Sequence, residues 1–393
     1  MIKKVTERHY LEQIHDLGSY AFNSSHTESQ MEAYIKKNTF INNFVDEEDG
    51  EVSSQIVSYP FEVSVHGTVM KMAGIGDVAT YPEKRGSGGI RRLFEAIFKE
   101  LHDNGTELSY LAPFSESFYR KFGYENLFYQ DEIRIPKSVI QQIKPEKTGS
   151  LKRVKWEDEI TQQTVKELYA KTLAKEHGSL IREDYWWEYN FIPEKNKKIA
   201  IAYDDNHEAV GYIVYSLISY TEFRIHELAY VTAPAFRQLL TFISSHSGSF
   251  EEFVSTNIKQ PMLLTAFTDA RPIQRKSNHY MMGRIVNFLP FIEKLPFHAT
   301  TEEVSVVLEV KDTFCDWNQG LFELTIQNGV ARCEKIVSGT PDYSGTIQEW
   351  LPVFMGLHSL DQAVWYGLIE KRTEEEQLSS LIQLETPRLY DYF

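Results

Sequence analysis

Apolar positions along this chain follow two rhythms. Between Gly89 and Asp103 they fall at Ile90, Leu93, Phe94, Ile97, Phe98 and Leu101, a spacing of i, i+3, i+4, i+7, i+8, i+11. That is one stripe of a helix, and it predicts a single buried face. Asn104-Gly105 predicts its end, because glycine accepts a left-handed stop. Upstream lie helical stretches near His9–Ala21 and Glu28–Lys37. β-branched and aromatic runs follow at Thr39–Val45, Ser54–Tyr59, Phe61–Val65 and Thr68–Thr80, with turn signals at Asp46–Gly50, Pro60 and His66-Gly67. Downstream come a strand at Leu108–Ala112, a short helix near Glu116–Phe122 and a strand near Leu127–Ile135. Together these outline a first domain over residues 1–136.

Residues 137–288 repeat that order. A helix near Thr161–Ala174 precedes a hairpin that pairs Lys198–Tyr203 with Ala209–Leu217 through Asp204-Asp205-Asn206, and a strand, Phe223–Val231, runs into a helix, Ala235–Ser244. The pattern predicts a duplicated architecture. Residues 289–393 differ. Strands at Val304–Val310 and Leu321–Gln327 come first, and Asn328-Gly329 predicts a hairpin into Val330–Ile336. Helical segments near Thr346–Gly356 and Leu360–Ile369 follow, and the tail, Leu381–Phe393, has no helical pattern. The expected fold class is therefore α+β (mixed α/β), with two like domains in tandem and a third of another kind.

The length of 393 residues agrees with about two or three domains. No run of 18 apolar residues exists and the first residues lack a signal-peptide core, so neither a membrane span nor a membrane partner is expected. Two cysteines, Cys315 and Cys333, suit a reducing cytoplasm and exclude a disulfide scaffold. With no basic pattern beside them they read as inert packing. No Cys/His cluster has metal-ligand spacing, so no metal is expected. The net charge of −15 repels phosphate backbones and argues against nucleic acid. It attracts cations, and polyamines, basic peptides and amino-sugars fit that field. Acidity for solubility alone is the plain alternative.

The chemistry concentrates at Arg85-Gly86-Ser87-Gly88-Gly89, a short basic loop between an apolar strand and the amphipathic helix. Small residues let backbone N–H groups approach an anion, and a helix N-terminus adds positive potential. Lys84, Arg91 and Arg92 add charge, and a pyrophosphate is the expected guest. The Gly-Lys-Ser/Thr ending of a Walker loop is missing, as is the full G-x-G-x-x-G pattern of dinucleotide folds. A glycine turn joining strand to helix is the simpler alternative.

Arg85-x-x-Gly88-x-Ile90 resembles the Arg/Gln-x-x-Gly-x-Gly/Ala signature of GNAT acetyltransferases. Ile90 departs from the final small residue in a way common to one branch, the Eis-like (enhanced intracellular survival) acetyltransferases. Ala79-Thr80-Tyr81-Pro82-Glu83, Pro113-Phe114-Ser115 and Ser117–Tyr124 resemble that branch as well. The resemblance covers the whole chain: a catalytic GNAT domain, a second GNAT-like domain and a sterol-carrier-protein-like domain. It implies that Val78, Ala79 and Thr80 meet the pantetheine arm of acetyl-CoA. Arg85, Gly86, Ser87, Gly88, Gly89, Ile90 and Arg91 would hold the pyrophosphate, and Phe114 and Ser115 would line the cofactor. It implies that the Val78 N–H faces the thioester oxygen and that Tyr119 is the general acid. The tail would enter the first domain, where the Phe393 α-carboxylate takes the amine proton. It also implies a homohexamer. The second domain's counterpart loop, Tyr230–Arg237, lacks glycine and reads as a degenerate copy. Asp77 and Asp391 read as solvated acids or as contacts for a second substrate ammonium, with the solvated reading favoured. The rival function is a non-catalytic acyl-CoA or lipid-binding scaffold, disfavoured by Tyr119 and the aromatic tail.

Overall fold

The computed structural model describes residues 1–24, 28–191, 197–256, 266–374 and 377–393. Contacts gather them into two units. One comprises Met1–Phe128, His177–Tyr185 and Tyr280–Phe393, and the other Tyr129–Glu176 and Trp186–His279. The first unit thus joins the chain's opening third to its closing third. No helix among the described residues is long and apolar enough to cross a membrane.

In the first unit, strands β1 (Ile2–Val5), β2 (Asn42–Glu48), β3 (Glu51–Val65), β4 (Thr68–Thr80) and β5 (Leu108–Leu111) lie side by side in that order. Met282–Ile285 pairs antiparallel with the far edge of β5. Helices α1 (Arg8–Phe22) and α2 (Glu28–Lys37) connect β1 to β2. Only β4 and β5 are parallel neighbours in this series, and helix α3 (Gly89–Asp103) makes the crossover they need. The apolar stripe of α3 does what its spacing requires. Leu93, Phe94, Ile97 and Phe98 are fully buried against Phe44, Ile56, Ile75 and Leu111. Each burial is worth about 1.5–3 kcal/mol, which fixes the loop ahead of the helix against the sheet.

Pro60 does not break the sheet as the sequence pattern implied, and β3 runs through it. The register shows why. β2 begins opposite Ser58 and does not reach Pro60, and the two-residue strand Leu180–Ile181 pairs only from Glu62. Pro60 therefore faces a gap where no strand asks for its missing N–H. Its carbonyl accepts from the Tyr185 hydroxyl at 2.9 Å.

The closing third adds a five-stranded sheet in the order Val330–Ile336, Gly320–Gln327, Val304–Lys311, Tyr343–Thr346, Glu370–Lys371. Arg284, wholly buried, ties it to the opening third. Its guanidinium donates to the Phe122 carbonyl and pairs with Asp312 at 2.7 Å. Cys315 and Cys333 are buried, and burial pushes both thiols up to about 12, which leaves them unreactive.

Near this junction His66 stacks on His177, ring centroids 3.7 Å apart. The His177 Nδ1 accepts from the His66 backbone N–H and its Nε2 donates to the Met355 carbonyl, so His177 is neutral. Burial, then His177 and His298, depress His66 to about 3 although Glu385 lies 3.8 Å away. A depressed histidine leaves stability intact above the unfolded value of about 6.5 and removes it as pH falls toward 3, by up to about 1.4 kcal/mol per unit. Urea midpoints should therefore drop steeply between pH 6.5 and 4.5. His66→Asn, which suits the left-handed φ of 47° at this turn, should flatten that slope. An unchanged slope in the variant would assign the acid sensitivity elsewhere.

The second unit orders its strands Ile133–Pro136, Glu252–Ser255, Glu222–Tyr230, Ala209–Ile218, Lys197–Tyr203 and Ser150–Val154. Helix Ala233–Ser245 packs Leu239, Leu240 and Ile243 onto Ile213, Tyr215 and Phe223. Both units are mixed α/β, the fold class the sequence implies.

Candidate active site

The site begins where β4 loses register with β3. Gln55 pairs with Ala79 and Val57 with Gly76, so one extra residue is accommodated between them. Asp77 takes it up with φ 50°. Such a bulge re-aims the residues beside it, here Val78. β4 then ends at Thr80, a short turn at Pro82–Lys84 follows, and the loop enters α3 with Gly86 and Gly88 both at φ 82°. Gly88 is the N-cap of α3 and has no side chain to cap it, so the amides of the first turn are left for another acceptor. Gly89 has no room for a side chain, since a Cβ there would sit 2.5 Å from the Ser54 hydroxyl. Arg92 folds back, donating to the Ser87 carbonyl at 2.7 Å and pairing with Asp46. It braces the loop and leaves Arg85 and Arg91 at the opening.

A recess of about 840 Å³ lies against this loop. Its wall includes Val78, Ala79, Thr80, Arg85, Gly86, Gly88, Gly89, Ile90, Arg91 and Phe114, with Lys84, Phe118 and Phe122. Ser87 and Ser115 are not on that wall; the Ser115 hydroxyl bonds Ser117 at 3.2 Å. Ala21 and Phe22 also line it, which no motif suggested. The available signal was slight. Phe22 ends an amphipathic helix off its buried stripe and is 56% exposed.

Tyr119 sits at the end of helix α4 (Glu116–Tyr119), buried edge-on to Phe114 at 5.3 Å and Phe118 at 5.2 Å. Burial, with Tyr392 adding to it, raises its phenol above the ordinary tyrosine value, so it carries its proton through the neutral range. Phe393 lies with its ring 5.2 Å from Phe61 and 6.1 Å from Tyr59. A Cβ on Gly74 would come within 2.8 Å of that ring, and one on Gly76 would be 3.4 Å from the terminal carboxyl carbon. That carbon therefore rests beside Gly76, one residue before Asp77 and two before Val78.

The tail reaches this position through specific anchors. The Arg388 N–H donates to the His177 carbonyl at 2.7 Å, and Ser179 donates to the Arg388 carbonyl at 3.0 Å. Arg182 pairs with Asp391 at 2.8 Å with both side chains nearly sealed from solvent, and Tyr280 donates to the Asp391 carbonyl at 2.8 Å. Asp391 is thus a buried anchor and not the solvated acid the sequence suggested. Asp77 also departs from that reading. Burial raises its carboxyl, against the opposing pull of Lys37 and His15. Tyr34 and Tyr59 feel its charge, and Lys37 donates to the Tyr59 hydroxyl at 3.2 Å.

Comparison with known proteins places these features. Family models for GNAT acetyltransferase domains match residues 1–127 and 178–285, and a sterol carrier protein domain matches residues 289–390. The chain is 33% identical to a conserved protein from Enterococcus faecalis V583 described as a probable N-acyltransferase. The match covers 100% of this chain and 99% of that one at a TM-score of 0.93. This chain belongs to the GNAT acetyltransferases. Two more distant structures share the fold. A GCN5-related N-acetyltransferase from Anabaena variabilis is 23% identical, covers 100% of both chains and has a TM-score of 0.87. Eis1 from Mycobacterium abscessus is 17% identical, again over 100% of both, at 0.82. No curated protein matches the chain.

In this GNAT acetyltransferase the two GNAT domains differ at the helix N-terminus. In the second, the Thr232 hydroxyl caps helix Ala233–Ser245 by accepting from the Ala235 N–H at 3.2 Å, Pro234 occupies the first turn, and Ala235 and Phe236 are buried. Its amides are already engaged and its approach is filled. The open N-terminus belongs to the first domain. Among the described residues no group of three or more His, Cys, Asp or Glu side chains is placed to hold a metal ion.

Proposed function

We propose that this GNAT acetyltransferase moves the acetyl group of acetyl-CoA directly to an amine of a polycationic substrate, an aminoglycoside-like molecule, a polyamine or a lysine side chain. One observation carries the reading: the recess in which Val78–Thr80 meet a glycine loop and an uncapped helix N-terminus. The loop fits a diphosphate because side chains are missing where one would come closest. Acetyl-CoA supplies the activated thioester. The backbone of Gly86–Arg91 takes its diphosphate, and the Val78 N–H stabilises the oxygen that becomes negative during attack. Tyr119 delivers a proton to the departing sulfur. The Phe393 carboxylate accepts the proton of the attacking amine, and Asp77, between it and Val78, holds the ammonium before deprotonation. The net charge of −15 draws such a cation in.

Two measurements test this. Isothermal titration should show acetyl-CoA binding that weakens about tenfold in Gly89→Ala, whose methyl displaces the loop from Ser54, and not in the control Gly248→Ala, where a methyl meets nothing. A thiol-release assay over an amine panel should favour di- and polyamines over monoamines. Asp77→Asn should raise KM for the polyamines by about tenfold with acetyl-CoA affinity unchanged. Purified protein that ignores acetyl-CoA would end the proposal. Equal rates on mono- and polyamines would remove its substrate class.

A further inference from the structure

The second unit contains a cleft of about 680 Å³ that the acetyl-transfer reading does not use. It lies near the C-terminal end of helix Ala233–Ser245, remote along that helix from the capped N-terminus. Strand pairing sets its walls. Arg153 lies opposite Ala200, Lys198 opposite Tyr215, and Ala200 is two residues from Lys198, so Arg153, Lys198 and Tyr215 share one face. That is the face covered by the helix, whose C-cap is His246. Lys155, Lys197 and His246 also line it, and among the described residues Glu157 is the one carboxylate there.

The charges are what set this cleft apart. In a chain of net charge −15, four cations gather here around one carboxylate. Among the arginines of this unit Arg153 is the exception. Of the six arginines in this unit, Arg134, Arg224, Arg237, Arg271 and Arg275 each hold a carboxylate within 4 Å. Arg153, Lys155, Lys197 and Lys198 have no carboxylate partner among the described residues. Four like charges beside a single carboxylate repel one another, and a fold surrounded by acids has ready means to neutralise them. Ile199, Trp156 and Tyr215 also line the cleft; Tyr215 is buried, and Arg153 lies close enough to favour its ionised form against the raising effect of burial. The volume is that of a small-molecule site, and its lining mixes charged and apolar side chains.

We infer that this cleft binds a phosphorylated small molecule of about nucleotide size. Arg153, Lys155, Lys197 and Lys198 hold its phosphates, and its ring or apolar part lies toward Trp156 and Tyr215. The site is separate from the proposed acetyl-CoA recess and does not depend on it.

Inorganic pyrophosphate and ADP are the probes, titrated calorimetrically into the full chain and into a variant carrying Arg153→Glu with Lys198→Glu. Both positions are exposed, so the fold should survive, and an unchanged acetyl-CoA titration in the variant checks the first recess. The wild type should bind ADP more tightly than pyrophosphate. The double variant should weaken ADP at least about tenfold, or lose one equivalent of it where the first recess also binds. Equal ADP binding in both proteins overturns the proposal. So does displacement by sulfate at equal concentration, which would mark an adventitious ion only.

Discussion

One residue added after Phe393 should lower kcat for amine acetylation by about 100-fold or more while acetyl-CoA affinity changes by less than about threefold. The geometry makes this sharp. The terminal carboxyl carbon rests beside Gly76, 3.4 Å from where a Cβ there would stand, and an added residue turns that carboxylate into a neutral amide and carries the charge one residue further on. The ring of Phe393 stays attracted to Phe61 and Tyr59, and Arg182 still holds Asp391, so the tail remains docked while its charge is displaced. A free α-carboxyl is a weak base, with a pKa of about 3.5, and works as one only where water is scarce. Pre-steady-state thiol release with saturating acetyl-CoA is the measurement. An extended protein with full kcat would show that another group takes the proton, and Asp77 would be the first to test.

Tyr119→Phe should lower kcat by about 10²–10⁴-fold, the range of general acid catalysis, and leave KM for acetyl-CoA nearly unchanged. The ring remains edge-on to Phe114 and Phe118, so the packing that shapes the recess survives and only the hydroxyl is lost. Burial holds the phenol protonated in the neutral range, which suits a group that must donate to a departing thiolate. Amines acetylated from a donor with a more acidic thiol leaving group should suffer less in this variant, because that sulfur needs the proton less. A loss of the same size with every donor would make Tyr119 a packing residue.

The recess was partly legible in the sequence and partly not. The run from Val78 to Arg91 announced itself because glycines, basic residues and a helical stripe follow one another along the chain, and most of those residues do share one wall. Ser87 and Ser115 share the same stretches of sequence but are not on that wall, since position in a motif does not by itself set what a residue faces. Phe22 joins from 56 residues before Val78, a distance along the chain that no local pattern bridges. Pro60 misled for a related reason. Proline is excluded only where a neighbour needs its N–H, and whether one does depends on where β2 begins.

What the sequence determined alone was local: the period of α3, the glycine loop ahead of it, most of the turns and the excess of negative charge. These follow from propensities that act over a few residues or from simple sums. Burial and proximity were decided only in three dimensions. Asp77 and Asp391 look alike in sequence, yet one stands in a bulge beside the proposed reaction centre and the other is locked to Arg182. The carboxyl carbon of residue 393 lies against residue 76 because packing brings distant segments together, and the free energy of a charge depends on what surrounds it more than on where it falls in the chain.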